Sequence, residues 1–344
     1  MSTQVKSQSN IEIRQKIEDY YSTILALLSF ISLATWKDGA VIPSSKYCLG
    51  RRMNTSINNK ISPDTRVTPD AVIQRYDNLG YVVEAKKSLP LNKGDWDKTV
   101  SQLLKYDDDL SGWWNFDELI KENCTVLLIE MSRSVEFCDY LNQYLISNNL
   151  AFTKKFSVVE FGRADELTHY YILRTRSGNI EDKGFSETLH NGKKVEIEAV
   201  VATYGQKKFY DSEPVPEFTM TVIWNDIFTE MARNVDLDKN RKAYIFEVDL
   251  AKLTKDLQRF YGSRGNIRRE AEFPKKAWVQ KAFDGFLRLG YVELMEQDKY
   301  RVFFRHVRGD ILEKFAKQQT NPKTKRPITN EKQLSLFEKS DQIE

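Results

Sequence analysis

Apolar residues Ile13, Ile17, Tyr20, Ile24, Leu27, Leu28 and Ile31 recur at helical spacing, which predicts one long amphipathic helix from Ile11 to Thr35. From Lys37 to Arg66 the pattern is lost among Gly, Pro, Asn and Ser, and the chain reads as irregular. Two apolar runs follow, Val67 to Gln74 and Leu79 to Ala85, separated by Asp77-Asn78. They predict a hairpin centred on Asn78, with Asp70 opposite Lys86 and Val72 opposite Glu84. Asp95 is placed to cap a helix from Trp96 to Asp109. A strand at Val126 to Glu130, a helix at Ser134 to Asn148 and strands at Phe156 to Phe161 and Tyr170 to Thr175 complete the block. Strands alternating with helices after an initial helix predict an α/β core over residues 1–177.

Glycines and prolines crowd the stretch from Arg176 to Phe218, which reads as a loop-rich linker over 178–218. Beyond it the pattern predicts a strand at Thr219 to Trp224 and a helix at Asn225 to Arg233. A second helix runs from Asp249 to Tyr261, with Leu250, Leu253, Leu257 and Phe260 as its buried stripe. A third spans Pro274 to Leu289 and ends at Gly290. A hairpin then turns at Glu296-Gln297-Asp298, between Tyr291–Leu294 and Tyr300–Phe304. Helices followed by a two-stranded wing look like a winged helix-turn-helix, here over 219–317. Residues 318–344 are polar, hold Pro322 and Pro327, and read as a disordered tail.

Composition narrows the chemistry. The three cysteines, Cys48, Cys124 and Cys138, lie far apart and form no CxxC pair, against structural zinc and a disulfide framework and in favour of a reducing compartment. His169, His190 and His306 are equally scattered, which argues against zinc hydrolases and His-metal nucleases. No Gly-x-x-x-x-Gly-Lys-Ser/Thr stretch encodes an ATP site. No uncharged apolar run is long enough for a bilayer and no signal-peptide pattern opens the chain, so a cytoplasmic protein without a membrane partner is expected.

Charge divides the molecule. Asp256 to Arg326 holds 17 Lys/Arg against 9 Asp/Glu, a net +8, so the remainder carries −5 within a whole-chain +3. A basic C-terminal part is expected to bind a polyanion, and Lys275, Lys276, Lys281, Arg288 and Arg301 are the candidate DNA contacts. Arg264, Arg268, Arg269, Arg305 and Arg308 stand nearby in sequence. The Asp107-Asp108-Asp109 run reads as a solvated helix terminus.

The strongest chemical signal lies on the predicted hairpin. Residues two apart on a strand face the same way, so Glu84 and Lys86 share a face while Val83 and Ala85 pack behind. With Asp70 they bring three charged groups to one end of an otherwise apolar hairpin. Carboxylates gathered there call for a cation, and oxygen-only ligands favour Mg²⁺ or Mn²⁺. Asp70, Glu84 and the Ala85 carbonyl are the candidate ligands, with Lys86 placed to orient water or offset developing charge. Pro63-Asp64 is a rival first aspartate, but no apolar strand follows it.

Pro69-Asp70 followed by Glu84-Ala85-Lys86 resembles the PD-(D/E)xK nuclease superfamily, whose two motifs occupy adjacent strands. Gln102-Leu103-Leu104-Lys105-Tyr106 is similar to the Gln-x-x-x-Tyr helix motif of its RecB-like branch. The resemblance extends over about Ile11 to Thr175, and its motifs over Pro69 to Tyr106. It implies a restriction-endonuclease-like core of mixed sheet flanked by helices, metal-dependent hydrolysis of DNA, and roles for Gln102 and Tyr106. It also implies a further acidic residue from the first helix, for which Glu18 is the candidate and Glu12 the reserve.

In the tail, Gln333-Leu334-Ser335-Leu336-Phe337 resembles the peptide by which bacterial proteins dock on the replicative sliding clamp. Gln333, Leu334, Leu336 and Phe337 are the expected contacts, since apolar anchors in a polar tail suit a partner's groove. The whole reads as a bacterial DNA nuclease of repair or phage defence. The alternative is a non-catalytic DNA-binding regulator on an inactive nuclease-like fold.

Overall fold

The computed structural model describes residues 10–37, 40–55, 66–76, 78–87, 89, 92–114, 120, 122–163, 169–204, 207–262 and 272–305. The chain forms two compact units, one of Glu18–Glu213 with Asp256–Pro274, the other of Met1–Ile17, Pro214–Lys255 and Lys275–Glu344.

The first unit is built on a mixed sheet. Besides the two-residue strand pairs Trp36–Lys37 with Ala40–Val41 and Met53–Asn54 with Arg66–Val67, its elements are helix α1 (Asn10–Thr35, from Glu18 onward), β1 (Lys46–Leu49), β2 (Ala71–Tyr76), β3 (Leu79–Lys86), α2 (Lys93–Tyr106), β4 (Glu122–Glu130), α3 (Met131–Ser147), β5 (Lys155–Arg163) and β6 (Tyr170–Gly178). After these come α4 (Lys183–His190), β7 (Lys193–Glu196) and α5 (Ile197–Tyr204). The seven strands lie side by side in chain order from β1 to β7. β3, β4 and β5 run parallel, and every other neighbouring pair is antiparallel. Parallel neighbours need a crossover, which α2 and α3 supply.

The central strands are covered on both faces, so they read as unbroken apolar runs. Val72, Val82, Leu127, Ile129 and Val158 join Val100, Leu103 and Leu104 of α2 and Phe137 and Leu141 of α3 in one buried cluster. Tyr81 points the other way, toward Phe30 of α1 and Phe185 of α4, at ring separations of 6.3 and 5.7 Å. α1 is long and apolar enough to cross a membrane by length and composition, in contrast to the expectation that no apolar run in the chain would suffice. Yet 67% of its most apolar window is buried against the protein.

Several expected elements differ. Residues 178–218 are not a loop-rich linker: α4, β7 and α5 lie within them, and β7 adds an edge strand to β6. Gly192, whose φ is +74°, joins α4 to β7. β1 lies within the stretch read as irregular, four residues being too short for a periodic signal. α2 is capped by Asn92, whose Oδ1 accepts the Asp95 N–H at 3.0 Å, and it ends at Tyr106. Asp107 beyond it accepts the N–H groups of Thr153 and Lys154 and so ties the loop before β5, instead of standing free in solvent.

The second unit contains α6 (Pro216–Val222), β8 (Leu237–Asp238), β9 (Ala243–Asp249), the start of α7 (Leu250–Tyr261), α8 (Lys276–Leu289), β10 (Val292–Glu296) and β11 (Lys299–Phe304). Its antiparallel sheet has the order β8-β9-β11-β10. The strand expected at Thr219 to Trp224 is helix instead, continued by a π-helical stretch, Ile223–Phe228. A short apolar run does not distinguish buried helix from strand; here Gly285 of α8 admits the Met220 sulfur, and tertiary packing decides. Trp224 packs on Phe286 and Phe304 at 5.8 and 4.9 Å. Leu250, Leu253 and Leu257 are buried as expected, but Phe260 is 58% exposed.

Gly80 of β3 makes the α2 side of the sheet possible. A Cβ there would come within 2.5 Å of two ring carbons of Trp113, a fully buried side chain whose Nε1–H donates to the Leu110 carbonyl at 2.8 Å. Gly80→Ala should therefore destabilise the protein by about 1–3 kcal/mol. Gly184→Ala, in the first turn of α4 with no atom closer than 3.6 Å, should be neutral or stabilising. Urea titrations compare the two, and an equally stable Gly80→Ala protein would refute the packing account.

Candidate active site

β2 and β3 pair with Ala71 opposite Val83, Val72 opposite Val82 and Tyr76 opposite Leu79. The turn is tighter than one centred on Asn78, and the ladder is displaced by two residues from expectation. Asp70, directly before β2, therefore comes level with Glu84 instead of Lys86. Because side chains alternate, a displacement of two keeps every residue on its expected face. Glu84 and Lys86 lie on the Val82 side, beneath α2, at the carboxyl end of the parallel strands.

Each charged group there has a defined partner. The Asp70 Oδ2 accepts the Ala85 N–H at 2.8 Å, and the Asp70 carbonyl accepts the Gly50 N–H at 2.9 Å. Glu84 is 2% exposed. Its Oε1 accepts from the Lys86 Nζ at 2.6 Å and its Oε2 from the Tyr106 hydroxyl at 2.9 Å. The Gln102 Nε2 in turn donates to the Tyr106 oxygen at 2.8 Å. Four residues apart on α2, Gln102 and Tyr106 thus act in series on one carboxylate.

Burial pushes the Asp70 carboxyl up to about 8, and the neighbouring Glu84 charge adds to the rise; Lys86 and the Ala85 N–H oppose it. Burial disfavours the Lys86 ammonium, but Glu84 and Asp70 outweigh it and hold the amine charged beyond its ordinary range. Burial, then the charges of Glu84 and Asp70, raises the Tyr106 phenol well above its usual value, so its proton stays in the bond to Glu84.

The structure adds three residues that the pattern did not single out. The rings of Tyr20 of α1 and Tyr210 pack in a tilted arrangement with centroids 5.1 Å apart, and the Tyr210 N–H donates to the Tyr20 hydroxyl at 3.4 Å. Burial raises both phenols, and the Asp70 charge contributes to each. Asp211 also raises Asp70, and lies against Gly50, where a Cβ would come within 2.9 Å of the Asp211 Cβ. Tyr20 had read as one of several apolar helix positions, and Tyr210-Asp211 fell within the supposed linker; no local motif marks either. The Tyr261 carbonyl holds this segment by accepting the N–H groups of Lys208 and Phe209 at 2.9 and 3.2 Å.

Glu18 does not join this group. It is exposed on α1, its Oε1 3.8 Å from Arg163 Nη2, and Glu12 is also exposed. Helical periodicity alone had left the register of that helix open. Among the described residues no cluster of three or more His, Cys, Asp or Glu side chains is arranged to hold a metal ion. Asp70 and Glu84 form a two-carboxylate donor set, to which the Ala85 carbonyl could add a third oxygen. Hard oxygen donors with a carboxyl raised by its like-charged neighbour fit a divalent cation.

In the second unit, Lys276 bonds Asp298 at 2.6 Å and Arg301 lies 3.8 Å from Glu247, so two of the five candidate DNA contacts already face acidic groups. Arg288 donates to the Asp284 carbonyl at 3.2 Å, Lys275 stands over the Trp278 ring at 5.6 Å, and Lys281 is exposed. Gln333, Leu334, Leu336 and Phe337, like Asp64, Asp77, Arg264, Arg268, Arg269 and Arg308, lie outside the described residues. Comparison with protein-family models, curated proteins and solved structures gives no match.

The raised Asp70 sets a pH dependence in metal-free protein. With its folded value near 8 and its unfolded value near the model 3.8, the folded state holds the extra proton between these limits. The contribution of Asp70 to stability is thus fully present below about pH 4 and is lost as pH rises through about 8. In EDTA, Asp70→Asn should melt roughly 5 °C or more above the wild type at pH 9, and the gap should close toward pH 4. A constant gap across that range would contradict the assignment.

Proposed function

We propose that this chain is a metal-dependent DNA nuclease of the PD-(D/E)xK class. The observation that carries the reading is the clamped Glu84 carboxylate, held by Lys86 on one oxygen and by Gln102 through Tyr106 on the other, level with Asp70 across the hairpin. Four of the five motif side chains, Glu84, Lys86, Gln102 and Tyr106, form this hydrogen-bond chain, and the fifth, Asp70, stands level with Glu84. A mixed sheet flanked by helices is the architecture expected of a restriction-endonuclease-like core.

In this reading Asp70, Glu84 and the Ala85 carbonyl hold Mg²⁺ or Mn²⁺. When bound, such an ion offsets charge on the phosphoryl oxygens and makes a nearby water more acidic. Lys86 supplies a fixed positive charge on the same face, where it orients the attacking water and offsets the charge that develops on the phosphate. Tyr106 and Gln102 hold Glu84 in a single orientation, which limits the reorganisation required during reaction.

The helices and β10–β11 hairpin of the second unit suit a winged-helix module that binds DNA through Lys275, Lys281 and Arg288, with Lys276 and Arg301 freed from their acidic partners on contact. The tail would recruit the enzyme to a bacterial sliding clamp through Gln333, Leu334, Leu336 and Phe337, in a cytoplasmic role in repair or phage defence.

Incubation of the full chain with linear and circular DNA tests the central reading. Cleavage should appear with Mg²⁺ and vanish with EDTA, and Asp70→Ala or Glu84→Ala should abolish it in folded protein. Lys86→Ala should lose on the order of 100-fold or more, and Tyr106→Phe about tenfold. Wild-type rates in either carboxylate variant would remove the assignment and favour a DNA-binding protein without catalysis.

The tail has its own test. Calorimetry with a purified bacterial clamp should give a dissociation constant on the order of micromolar. Leu336→Ala/Phe337→Ala should bind undetectably yet cut naked DNA at the wild-type rate. Equal binding by the double variant excludes clamp docking through this peptide.

A further inference from the structure

Beside the carboxylate pair lies an open cavity of about 530 Å³. Arg66 and Thr68 border it on the approach to Asp70, and Lys98, Ser101, Gln102 and Lys105 border it from α2. Those four positions are i, i+3, i+4 and i+7, so they form one continuous face of the helix. The cavity is therefore a consequence of helical periodicity on α2 set against the strand entry that delivers Asp70.

Its charge is predominantly positive. Arg66, Lys98 and Lys105 face one lining acid, Asp97, whose Oδ1 accepts a short hydrogen bond from the Tyr140 hydroxyl. Lys98 is 82% exposed and lies 3.1 Å from Asp95, a solvent-screened contact that yields readily to a stronger anion. Lys105 is half-buried, so its charge acts through a medium less screened than bulk water. Gln102 and Tyr106 belong both to the cavity wall and to the hydrogen-bond chain that ends on Glu84. An anion seated here is thus one side chain, Tyr106, away from the Glu84 carboxylate.

We propose that this cavity seats the substrate strand: a phosphodiester adjoining the scissile one docks between Arg66 and Lys105, and the Thr68 and Ser101 hydroxyls donate to its oxygens. The inference rests on the nuclease reading and adds the path of the strand. Cations flanking a cleft of this volume, with hydroxyl donors between them, match a sugar-phosphate backbone and carry no base readout. The seat is accordingly indifferent to sequence, and any preference for particular bases must arise elsewhere.

The test is fluorescence anisotropy of a labelled DNA duplex with the full chain in EDTA, titrated with NaCl. Arg66→Ala/Lys105→Ala should weaken binding about tenfold at fixed salt and reduce the slope of log affinity against log salt by about one, for the single phosphate the two cations share. Arg66→Lys/Lys105→Arg should retain the wild-type slope. Lys183→Ala/Lys193→Ala, at the β7 side of the same unit, should leave it unchanged. An unchanged slope in Arg66→Ala/Lys105→Ala, or competition by polyglutamate as strong as by unlabelled DNA, overturns the proposal. The Mg²⁺ cleavage assay separates the two readings. Wild-type cleavage with an unaltered slope rejects the seat alone, whereas a reduced slope without any cleavage rejects the nuclease and leaves a nucleic-acid seat.

Discussion

Two carboxyl groups brought level with one another at the end of a buried hairpin are the constraint around which the first unit is organised. A carboxylate as buried as Glu84 is costly unless its oxygens find donors. Here its two oxygens are each met by a donor, one from the next outward-facing residue of its own strand and one from α2. For Asp70, burial and the Glu84 charge outweigh the Lys86 charge and the Ala85 N–H, and so its carboxyl is the group that yields. The asymmetry is useful: one member of the pair is fixed in orientation by two donors, while the carboxyl of the other is raised by burial.

The rest of the unit follows from keeping those groups in place. β3 must be covered on both faces for Glu84 to be desolvated, which requires α1 behind it and α2 and α3 in front. α2 must enter at the angle that brings Tyr106 over Glu84, and the close passage of Trp113 over Gly80 helps fix that side of the sheet. Hydrophobic packing thereby sets the geometry of a polar cluster, and rigid elements rather than loops carry Glu84, Lys86, Gln102 and Tyr106.

Much of this was legible in the sequence where local periodicity carries it. The apolar runs around Asp77-Asn78 announced the hairpin, the alternation along Tyr81 to Lys86 put Glu84 and Lys86 on one face, and four-residue spacing joined Gln102 to Tyr106. The register was displaced by two because turn geometry, not strand composition, sets it, and its even displacement left the faces intact. Tyr210 and Asp211 could not be read locally, since only the folded chain brings them near Asp70. Glu18 was misplaced for the complementary reason: an amphipathic stripe does not say which of several acids on the helix meets the sheet. At Thr219 to Trp224 the residues suit strand or buried helix equally, and packing against α8 determines which forms.

The division of the chain between the units bears on how the protein is made. The first unit is completed by Asp256–Pro274, a segment that follows forty-two residues belonging to the second. Within it the Tyr261 carbonyl anchors Lys208 and Phe209, just ahead of Tyr210 and Asp211. On a ribosome adding about 5–20 residues per second, the N-terminal sheet can emerge and pair while this edge of the site still lacks its anchor. The order of synthesis thus separates the residues that carry the carboxylate pair from the segment that anchors its surroundings.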